Sequence, residues 1–516
     1  MIKNFIKQLF TPKGRQVKAS ATDELNAVDR PSGMAGTSRE ARKKLKARAA
    51  KSVVHKAHSY PAKKHGINPR YIPESARVVS EILSEAGFEA YVVGGAVRDL
   101  MLGHIPKDFD VATNARPEQV LKLFRRSRII GRRFRIVHVM HKRDLIEVTT
   151  FRSDNLEDQE TDEHGRVLRD NVYGNIESDA SRRDMTINAL YYDVKRQVVL
   201  DYHGGVNDLH DQVLRIIGDP ETRFREDPVR MLRVLRFMAK FGFEVEAHTM
   251  DAMQANRGLL GHIPSARLFD ETLKFFTTGH ALRSFEVLQK YGFTAYLMPV
   301  LHDVVQSERG MDWVRSVLAQ TDERVHEDKS ISPGFLFAAL MWLKVEERWL
   351  AHRVHNPVVV ALDLAMGEVI NQDKEQVTMT KRFVSDMRDI WSMQPRLERR
   401  LPRQIQRVLE TPRFRAGYDF LLLRAQRGHL GEEGEEIAAW WGDMYAANGA
   451  ERQRMIEALR QQPKKASTLA TATTQADGAD KPKKRRRRRK PKAKTADTAN
   501  GGVAVEHHAP STNEAS

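Results

Sequence analysis

The chain has 516 residues, of which 41% are hydrophobic and 30% are charged, so it can build two to four domains with sizeable cores and ionic surfaces. It contains no cysteine, which excludes disulfide bonds and every cysteine-ligated zinc or iron–sulfur site. Its formal net charge at pH 7 is +17, and such an excess of positive charge indicates a polyanionic partner, with nucleic acid as the first candidate.

Hydropathy and the absence of cysteine also bear on the compartment. No apolar run approaches the roughly 20 residues that a membrane-spanning helix needs. The first residues lack the apolar stretch and the cleavage site of a secretory signal. A chain without cysteine suits a reducing compartment, and we expect a cytoplasmic protein.

The first 72 residues are predicted to form a disordered, basic N-terminal extension, because they lack sustained hydrophobic periodicity. Within residues 2–10, five apolar side chains would share one helical face: Ile2, Phe5, Ile6, Leu9 and Phe10. That face could make a peripheral contact with a membrane surface or a partner. A frayed terminus with chance periodicity explains the pattern equally well.

Residues 73–205 read as one α/β domain. Glu74 to Ala86 has the periodicity of an amphipathic helix that stops at Gly87. Strand-like runs follow at 90–95, 108–113, 133–140, 144–151 and 189–203, and a helix is predicted over Pro117 to Arg126.

From residue 206 to 462 almost every long segment has helical periodicity, which predicts an all-helical region divided at about residue 275. Trp440 and Trp441 are interpreted as core residues of this region, in preference to a platform on which bases stack.

The end of the chain, residues 463–516, has no aromatic residues and is predicted to be disordered. Eleven of the seventeen net charges lie in KPKKRRRRRKPKAK at 481–494, which leaves about +6 for the rest of the chain. Such a tail is either a solvated interaction arm or an RNA-binding segment, for which the candidate residues are Lys484, Arg485, Arg486, Arg487, Arg488 and Arg489.

Asp108 and Asp110 are the first candidate catalytic residues. In a strand, residues i and i+2 point to the same face, and two adjacent carboxylates repel each other unless a cation lies between them. Oxygen ligands of this kind suit Mg²⁺, although a solvated strand end gives the same pattern. Glu147, on another predicted strand, could supply a third acid or be an ordinary surface residue.

A glycine pair precedes these acids. Gly94 and Gly95 stand between a strand and a short helix from Ala96 to Leu102, where backbone amides can approach phosphate oxygens. Arg98 and Asp99 follow, and a structural strand–turn–helix joint with an Arg–Asp pair is the alternative.

Two later segments mix charged and apolar residues. In SRRDMTINAL, Arg183 could reach a triphosphate and Asp184 could bind a metal, a sugar or a base, or the two could form a structural ion pair on a helix.

The second segment is REDPVRMLRVLR at 225–236. Here Asp227 is a natural N-cap for a helix that starts near Pro228, and arginines at 230, 233 and 236 would form one basic stripe. Asp227 and Arg230 could hydrogen-bond a base edge, although capping and a solvated helix face also explain them.

Together these blocks resemble a known family. The segment YVVGGAVRDLMLGHIPKDFDVATNARPEQV at 91–120 is similar to the signature of class II nucleotidyltransferases, the bacterial poly(A) polymerases and the related CCA-adding tRNA enzymes. IEVTTFR, RRDMTINALYYD and REDPVRMLRVLRF follow in the family's order. IIGRRFRIVHV at 129–139 and the basic tail resemble the poly(A) polymerases in particular.

The resemblance implies a fold and its divisions. A polymerase-β-like α/β nucleotidyltransferase head over residues 73–205 would be followed by an all-α neck at 206–275, which binds the base and RNA, and an all-α body at 276–462. The basic termini would be disordered.

The resemblance also implies roles for individual residues. Asp108 and Asp110 would hold two Mg²⁺ ions, and Asp184 would be a further catalytic acid. The nucleotide-binding residues would be Gly94, Gly95, Arg98, Arg183, Asp227 and Arg230.

The expected activity is template-independent transfer of AMP from ATP to RNA 3′ ends by two-metal phosphoryl transfer, which would promote RNA turnover. RNA 3′ ends and ATP would be its substrates, and RNA-degradation proteins are candidate partners. A CCA-adding tRNA nucleotidyltransferase is the closer alternative, and a non-catalytic RNA-binding protein on the same scaffold is the more distant one.

Overall fold

The computed structural model describes residues 57–131, 135–153, 160–161, 167–169, 172–372 and 379–461. The predictions for residues 1–56, including the apolar face over 2–10, and for the basic tail from 463 onward lie outside these residues. Within them, a mixed α/β head precedes a largely helical region, which confirms the predicted succession of fold classes.

The head is built on one eight-stranded sheet with the order β1-β10-β9-β2-β3-β6-β5-β4. Its strands, together with the short pair β7–β8, are β1 (His58–Pro61), β2 (Ala90–Val93), β3 (Asp110–Thr113), β4 (Ser127–Ile130), β5 (Ile136–His141), β6 (Asp144–Thr150), β7 (Glu160–Thr161), β8 (Val167–Arg169), β9 (Leu190–Asp193) and β10 (Val198–Asp201). The sheet is antiparallel except for the pair β3–β6, which is parallel and places Asp110 opposite Glu147.

Among the described residues, the helices of the head are α1 (Ala62–His65), α2 (Glu74–Glu85), α3 (Gly95–Met101), α4 (Pro117–Leu123), α5 (Ile176–Arg182) and α6 (Gly205–His210). Helix α2 packs on strands β2, β3 and β6 and buries Ala76, Val79 and Leu83, as its hydrophobic periodicity predicts.

The prediction that residues 1–72 are disordered is wrong for the part that the structure describes. Strand β1 pairs with β10, and His65 Nε2 lies 3.1 Å from the backbone oxygen of Gln197. Ile67 is buried in the core. Strand β1 has only four residues, mostly exposed, and therefore shows no hydrophobic periodicity of its own. Its pairing with β10 stabilises it instead.

Two other expectations in the head are also corrected. The predicted run at 189–203 is a hairpin, β9 and β10, whose turn contains Gln197 in a left-handed conformation with φ 53° instead of a glycine or proline. Strand β4 (Ser127–Ile130) was not predicted, because an edge strand with alternating half-exposed residues has little apolar signal.

The helical region begins with a joint in which β11 (Val213–Leu214) and β12 (Glu244–Val245) form a two-stranded parallel sheet. The helices that follow α6 are α7 (Pro220–Glu226), α8 (Val229–Phe241), α9 (Ala247–Asn256), α10 (Ser265–Phe276), α11 (Ala281–Lys290), α12 (Thr294–Leu297), α13 (Pro299–Val304), α14 (Glu308–His326), α15 (Pro333–His352), α16 (Val358–Gln372), α17 (Lys381–Arg399), α18 (Ile405–Leu409), α19 (Phe414–Gln426), α20 (Gly434–Ala446) and α21 (Gly449–Gln461). Short 3-10 turns occupy Pro69–Tyr71, Thr186–Asn188 and Arg257–His262.

One large hydrophobic core runs from the head into helices α15, α16 and α17. A second core lies between α17 and α21 and contains Trp441, which is fully buried and donates its indole N–H to the Leu397 carbonyl at 2.8 Å. Trp440 packs partly buried against the same cluster. The prediction that this tryptophan pair belongs to the core is confirmed at Trp441.

Among the described residues, we find no helix with both the length and the continuous hydrophobicity needed to cross a bilayer.

The joint between β10 and α6 depends on a buried carboxylate. Asp201 is fully buried at the end of β10 and accepts three backbone N–H bonds of 3.0 Å, from His203, Gly205 and Val206. These bonds satisfy donors at the start of α6 that would otherwise be buried without partners.

We expect Asp201→Ala to lower the free energy of unfolding by about 2–3 kcal/mol, since it leaves three amides without an acceptor. Denaturant unfolding of the full chain measures this. The exposed Asp251→Ala on α9 is the control and should stay within about 0.5 kcal/mol of the parent. An Asp201→Ala chain as stable as the control would show that the carboxylate does not hold this joint.

Candidate active site

The chain turns sharply between β2 and α3 at Gly94. Its backbone has φ 69° and ψ −127°, a region that only glycine occupies without strain, and its N–H donates to the Leu190 carbonyl at 3.2 Å. A Cβ on Gly94 would lie 3.0 Å from Arg183 Nη1. Gly95 has no such constraint, because a Cβ there would meet the Arg98 side chain at an ordinary 3.5 Å. The turn therefore requires the first glycine of the pair only.

Arg98 lies behind this turn and is 5% exposed. Its guanidinium donates to Asn188 Oδ1 at 2.5 Å and to Asp99 Oδ1 at 2.7–2.8 Å, and it stacks over the ring of Phe237 at 4.7 Å. The Arg98–Asp99 pair is therefore the internal ion pair that the sequence offered as an alternative. The nucleotide-binding role of Arg98 remains a prediction, and in this position Arg98 would act by supporting the turn.

Asp108 and Asp110 lie beside the turn, at the start of β3. The strand begins at Asp110, so the prediction that both residues lie within it is wrong at Asp108, which is exposed in the preceding loop. Strand β3 cannot extend further back against β2, because Val93, the last residue of β2, already pairs with Asp110. Asp110 is half-buried.

Negative charge accumulates around Asp110. Burial, followed by the neighbouring carboxylate of Glu147, raises the pKa of Asp110 to about 6, although Arg183 opposes the shift and Asp108 adds to it. Glu147 also lies 3.2 Å from His138 Nε2. Glu147 is thus close enough to act electrostatically on Asp110, as a third acid would, while its role in catalysis stays a prediction.

Within the described segments, no three His, Cys, Asp or Glu side chains form a group that could hold a metal ion. Asp108 and Asp110 fit Mg²⁺ by chemistry, as two oxygen donors at a point where a cation would relieve repulsion between carboxylates. Mg²⁺ commonly takes one or two protein carboxylates and completes its octahedron with water and substrate phosphates, and the set here is of that kind.

Arg183 lies between the glycine turn and the acids. Its Nε donates to Tyr191 Oη at 2.9 Å, and its Nη2 lies 3.3 Å from Asp179 Oδ2. Its Nη1 donates to the Asn188 carbonyl at 3.3 Å. These bonds use three of the five guanidinium N–H groups, so the side chain is held in place while donors remain for an anion.

The sequence predicted that Asp184 lies on a helix, and this prediction is wrong. Helix α5 ends at Arg182, and the Asp184 carboxylate accepts the N–H of Met185 at 2.7 Å, which stabilises a turn instead. Its other oxygen accepts from Arg233 Nε at 2.6 Å. Burial alone would raise the pKa of Asp184, but the Arg233 charge and the bonds from Asn188, Arg233 and Met185 hold it well below its ordinary value. Asp184 is therefore in an ion pair, but with Arg233 and not with Arg183, which pairs with Asp179. The catalytic role of Asp184 stays a prediction.

Asp227 also differs from its predicted role as N-cap. Helix α8 starts at Val229 with Pro228 in the cap position, and Asp227 Oδ1 accepts the Val229 N–H at 3.3 Å. Its Oδ2 accepts from Arg267 Nη2 on α10 at 2.8 Å. The Arg230 backbone N–H donates to the Asp227 carbonyl at 3.0 Å, whereas its side-chain Nη1 donates to Glu226 Oε2 at 2.8 Å.

The three arginines along α8 are not a solvated stripe. Arg230 pairs with Glu226 at 2.8 Å and Arg233 with Asp184 at 2.6 Å. Arg236 lies 3.7 Å from a carboxylate oxygen of Glu271. The alternative of an exposed basic face is therefore wrong, because each cation faces a carboxylate from another turn or helix.

Sequence reasoning missed several residues that hold the site together: Asp179, Asn188, Tyr191, Arg223, Glu226 and Arg267. Glu226 stands next to Asp227, and Asn188 lies four residues after Asp184. Their positions near these predicted site acids therefore carried some signal. The contacts of Tyr191 and Arg267 depend on tertiary packing and have no local signature.

The glycine turn gives a test by stability. We expect Gly94→Ala to lower the free energy of unfolding by about 1–3 kcal/mol, because alanine is strained at this φ and ψ and its Cβ would crowd Arg183. Gly95→Ala is the matched control and should be neutral or slightly stabilising, since Gly95 has helical geometry. Equal effects of the two substitutions, measured by denaturant unfolding, would contradict the assigned strain.

Comparisons with known proteins agree with this arrangement. Residues 90–215 match the poly A polymerase head domain, 242–304 match a probable RNA and SrmB-binding site of polymerase A, and 355–492 match the polymerase A arginine-rich C-terminus.

The chain is 42% identical over 414 residues to Poly(A) polymerase I of Escherichia coli O6:H1, a match that covers 78% of this chain and 89% of that protein. A CCA-adding enzyme of Lactobacillus helveticus is 39% identical over 213 residues, which is 41% of this chain and 52% of that protein.

Among solved structures, a tRNA-processing enzyme in an apo form has the same fold, with a TM-score of 0.50, 22% identity and coverage of 74% of this chain and 99% of that one. The chain therefore belongs to the bacterial poly(A) polymerase I family, whose class II nucleotidyltransferase fold is shared with the CCA-adding enzymes.

Proposed function

We propose that this chain extends RNA 3′ ends with AMP from ATP through a site formed by Asp108, Asp110, Arg183 and the Gly94 turn. Template-independent polyadenylation of RNA is the activity that its family membership gives it. The observation that supports the site is the convergence of two carboxylates, a strained glycine turn and a fixed guanidinium at one end of the β2–β3 pair.

Asp108 and Asp110 would hold two Mg²⁺ ions. When bound, these ions would supply positive charge that lowers the pKa of the attacking hydroxyl and stabilises the leaving group. The raised pKa of Asp110 supports this assignment, because a carboxylate that is costly to ionise alone is suited to a cationic ligand.

The reaction joins the RNA 3′ oxygen to the α-phosphorus of ATP and breaks the bond to pyrophosphate. Arg183 would offset the charge that develops on the departing pyrophosphate, since its guanidinium is fixed by Tyr191 and Asp179 and need not reorganise. The Gly94 turn would bring the triphosphate close to Arg183, because no Cβ intervenes.

Selection of the base would fall to Asp227 and Arg230, at the start of the helical region. Arg267 holds the Asp227 carboxylate and Glu226 holds the Arg230 guanidinium, so both groups are oriented before a nucleotide arrives. Oriented donors and acceptors discriminate between base edges without a template, because the wrong edge leaves buried polar groups unpaired.

Further partners follow from the activity and the sequence. RNA would contact the helical region and the basic tail, and tailing would promote RNA turnover, with RNA-degradation proteins as partners. A cytoplasmic location and a peripheral membrane contact by residues 2–10 belong to the same proposal and rest on the sequence alone.

The deciding experiment offers purified protein an unstructured RNA oligonucleotide and a tRNA that lacks its 3′ CCA, with Mg²⁺ and each nucleotide separately. Long adenylate tails on the generic RNA, with little use of CTP, are expected. Addition of two C residues and one A, confined to the tRNA, would instead identify a CCA-adding enzyme. RNA binding without any addition would identify a non-catalytic protein.

We expect Asp108→Ala to reduce AMP transfer by at least about 10³-fold, since the site loses one of two carboxylates that would bind metal. RNA affinity, measured by filter binding, should change less than about threefold. Asp144→Ala, an exposed acid at the start of β6, is the control and should retain full turnover. Normal turnover by Asp108→Ala would overturn the metal assignment.

Replacement of Lys484 to Arg489 by glutamine should weaken RNA binding and flatten its dependence on salt. Six fewer phosphate contacts would reduce the slope of log K against log salt by up to about 4 for single-stranded RNA. Removal of residues 495–516, which keeps the basic run, is the matched control. An unchanged slope in the glutamine variant would exclude the tail from RNA binding.

A further inference from the structure

Arg223 occupies a half-buried position on α7, between the segment that carries Arg183 and the segment that carries Arg230. Its side chain is 14% exposed. One end of its guanidinium contacts the first segment directly, and the other end contacts Glu226, the last residue of α7, which in turn binds Arg230. Arg223 belongs to none of the motifs singled out in the sequence.

One end of the guanidinium binds backbone carbonyls at the C-terminus of α5. Arg223 Nη2 donates to the carbonyl oxygens of Arg182 at 2.8 Å and Arg183 at 2.9 Å, and lies 3.4 Å from that of Ser181. Carbonyls at a helix C-terminus lack partners within the helix, and a cation there is favourable. Arg223 thus fixes the backbone from which the Arg183 side chain projects.

The other end of the guanidinium is linked to Arg230 on α8 through the carboxylate of Glu226. Arg223 Nη1 donates to Glu226 Oε2 at 2.8 Å, and the same oxygen accepts from Arg230 Nη1 at 2.8 Å. Arg230 Nη1 also donates to the backbone carbonyl of Arg223 at 2.9 Å. The Glu226 carboxylate therefore binds the guanidinium groups of Arg223 and Arg230 at the same time. A shift of either guanidinium would disturb the contact of the other.

These contacts form one continuous path from Arg230 through Glu226 and Arg223 to the backbone of Arg183. We propose that Arg223 is a positioning residue that couples recognition of the base at Arg230 to placement of the triphosphate by Arg183, and so sets the preference for ATP. This inference rests on the proposed roles of Arg183 and Arg230 in nucleotide binding.

The coupling has a specific consequence for catalysis. A base that satisfies Arg230 leaves Glu226 and Arg223 as they are, and Arg183 stays aligned with the α-phosphorus. A base that pulls Arg230 away displaces Glu226, then Arg223, and then the carbonyls it holds. The wrong nucleotide therefore loses kcat as well as affinity, because misplacement of reacting groups slows the chemical step.

A purely structural role for Arg223 predicts something different. As a cap for α5 it would support all nucleotides equally, so its loss would lower stability and slow ATP and CTP by the same factor. The ratio of kcat/KM for ATP to that for CTP separates the two roles, since only the coupling role changes it.

The decisive variant is Arg223→Lys, because a single ammonium keeps the charge but cannot reach the carbonyls and Glu226 together. Arg223→Gln removes both contacts. Arg225→Lys is the matched control: it lies on the same helix, its side chain is 68% exposed, and it pairs only loosely with Glu221 at 3.6 Å. Full-length protein is assayed on unstructured RNA with ATP and with CTP, and melting temperatures are recorded alongside.

We expect the ATP-to-CTP ratio to fall at least tenfold in Arg223→Lys and further in Arg223→Gln, mainly through a lower kcat for ATP, with no change in the control. Inhibition by inorganic tripolyphosphate, which has no base, should weaken in Arg223→Lys by a smaller factor than kcat/KM for ATP falls. If Arg223→Gln does not fold, Arg223→Lys alone decides.

An unchanged ratio in a folded Arg223→Lys protein would overturn the proposal. Equal losses for ATP, CTP and tripolyphosphate would also overturn it, since they indicate a structural cap. A parent protein that shows no preference for ATP would contradict the proposed function instead, so the two failures are distinguishable.

Discussion

The parallel pairing of β3 with β6 is the constraint on which the site depends. It places Asp110 opposite Glu147 in a half-buried position, with Asp108 in the loop just before. Such a concentration of negative charge is unfavourable unless cations surround it. One of these cations is Arg183, which fits beside the neighbouring turn because Gly94 has no side chain. Bound metal would supply the others.

Guanidinium groups connect the head to the helical region. Arg233 reaches from α8 to Asp184, Arg98 stacks from the head onto Phe237 of α8, and Arg223 binds backbone carbonyls after α5. Arginine suits this work because its planar fork binds two partners at once and remains charged when buried. The orientation of α8 relative to the strands that carry Asp110 and Glu147 thus depends on polar contacts as well as on the shared hydrophobic core.

The sequence predicted the succession of head and helical region and most elements of the head, because hydrophobic periodicity and glycine or proline signals are local. It also grouped Gly94, Asp110 and Arg183, which the structure places close together, since the motifs that contain them were recognisable as a set. It could not show that Asp184 pairs with Arg233 of α8, because that contact joins residues 49 positions apart. The hairpin at 190–201 was missed because its turn uses Gln197 in place of glycine.

Strand β1 has a further consequence for the solubility of shortened forms of this protein. It covers the outer edge of β10, and as a four-residue strand ending in Pro61 it is itself a poor template for another strand. A chain cut at residue 73, where hydrophobic periodicity begins, would leave the backbone N–H and C=O groups of β10 open along an edge rich in valine and leucine. Such a fragment would retain the candidate catalytic residues and yet tend to associate through that edge, so the short segment before α2 protects the head from self-association.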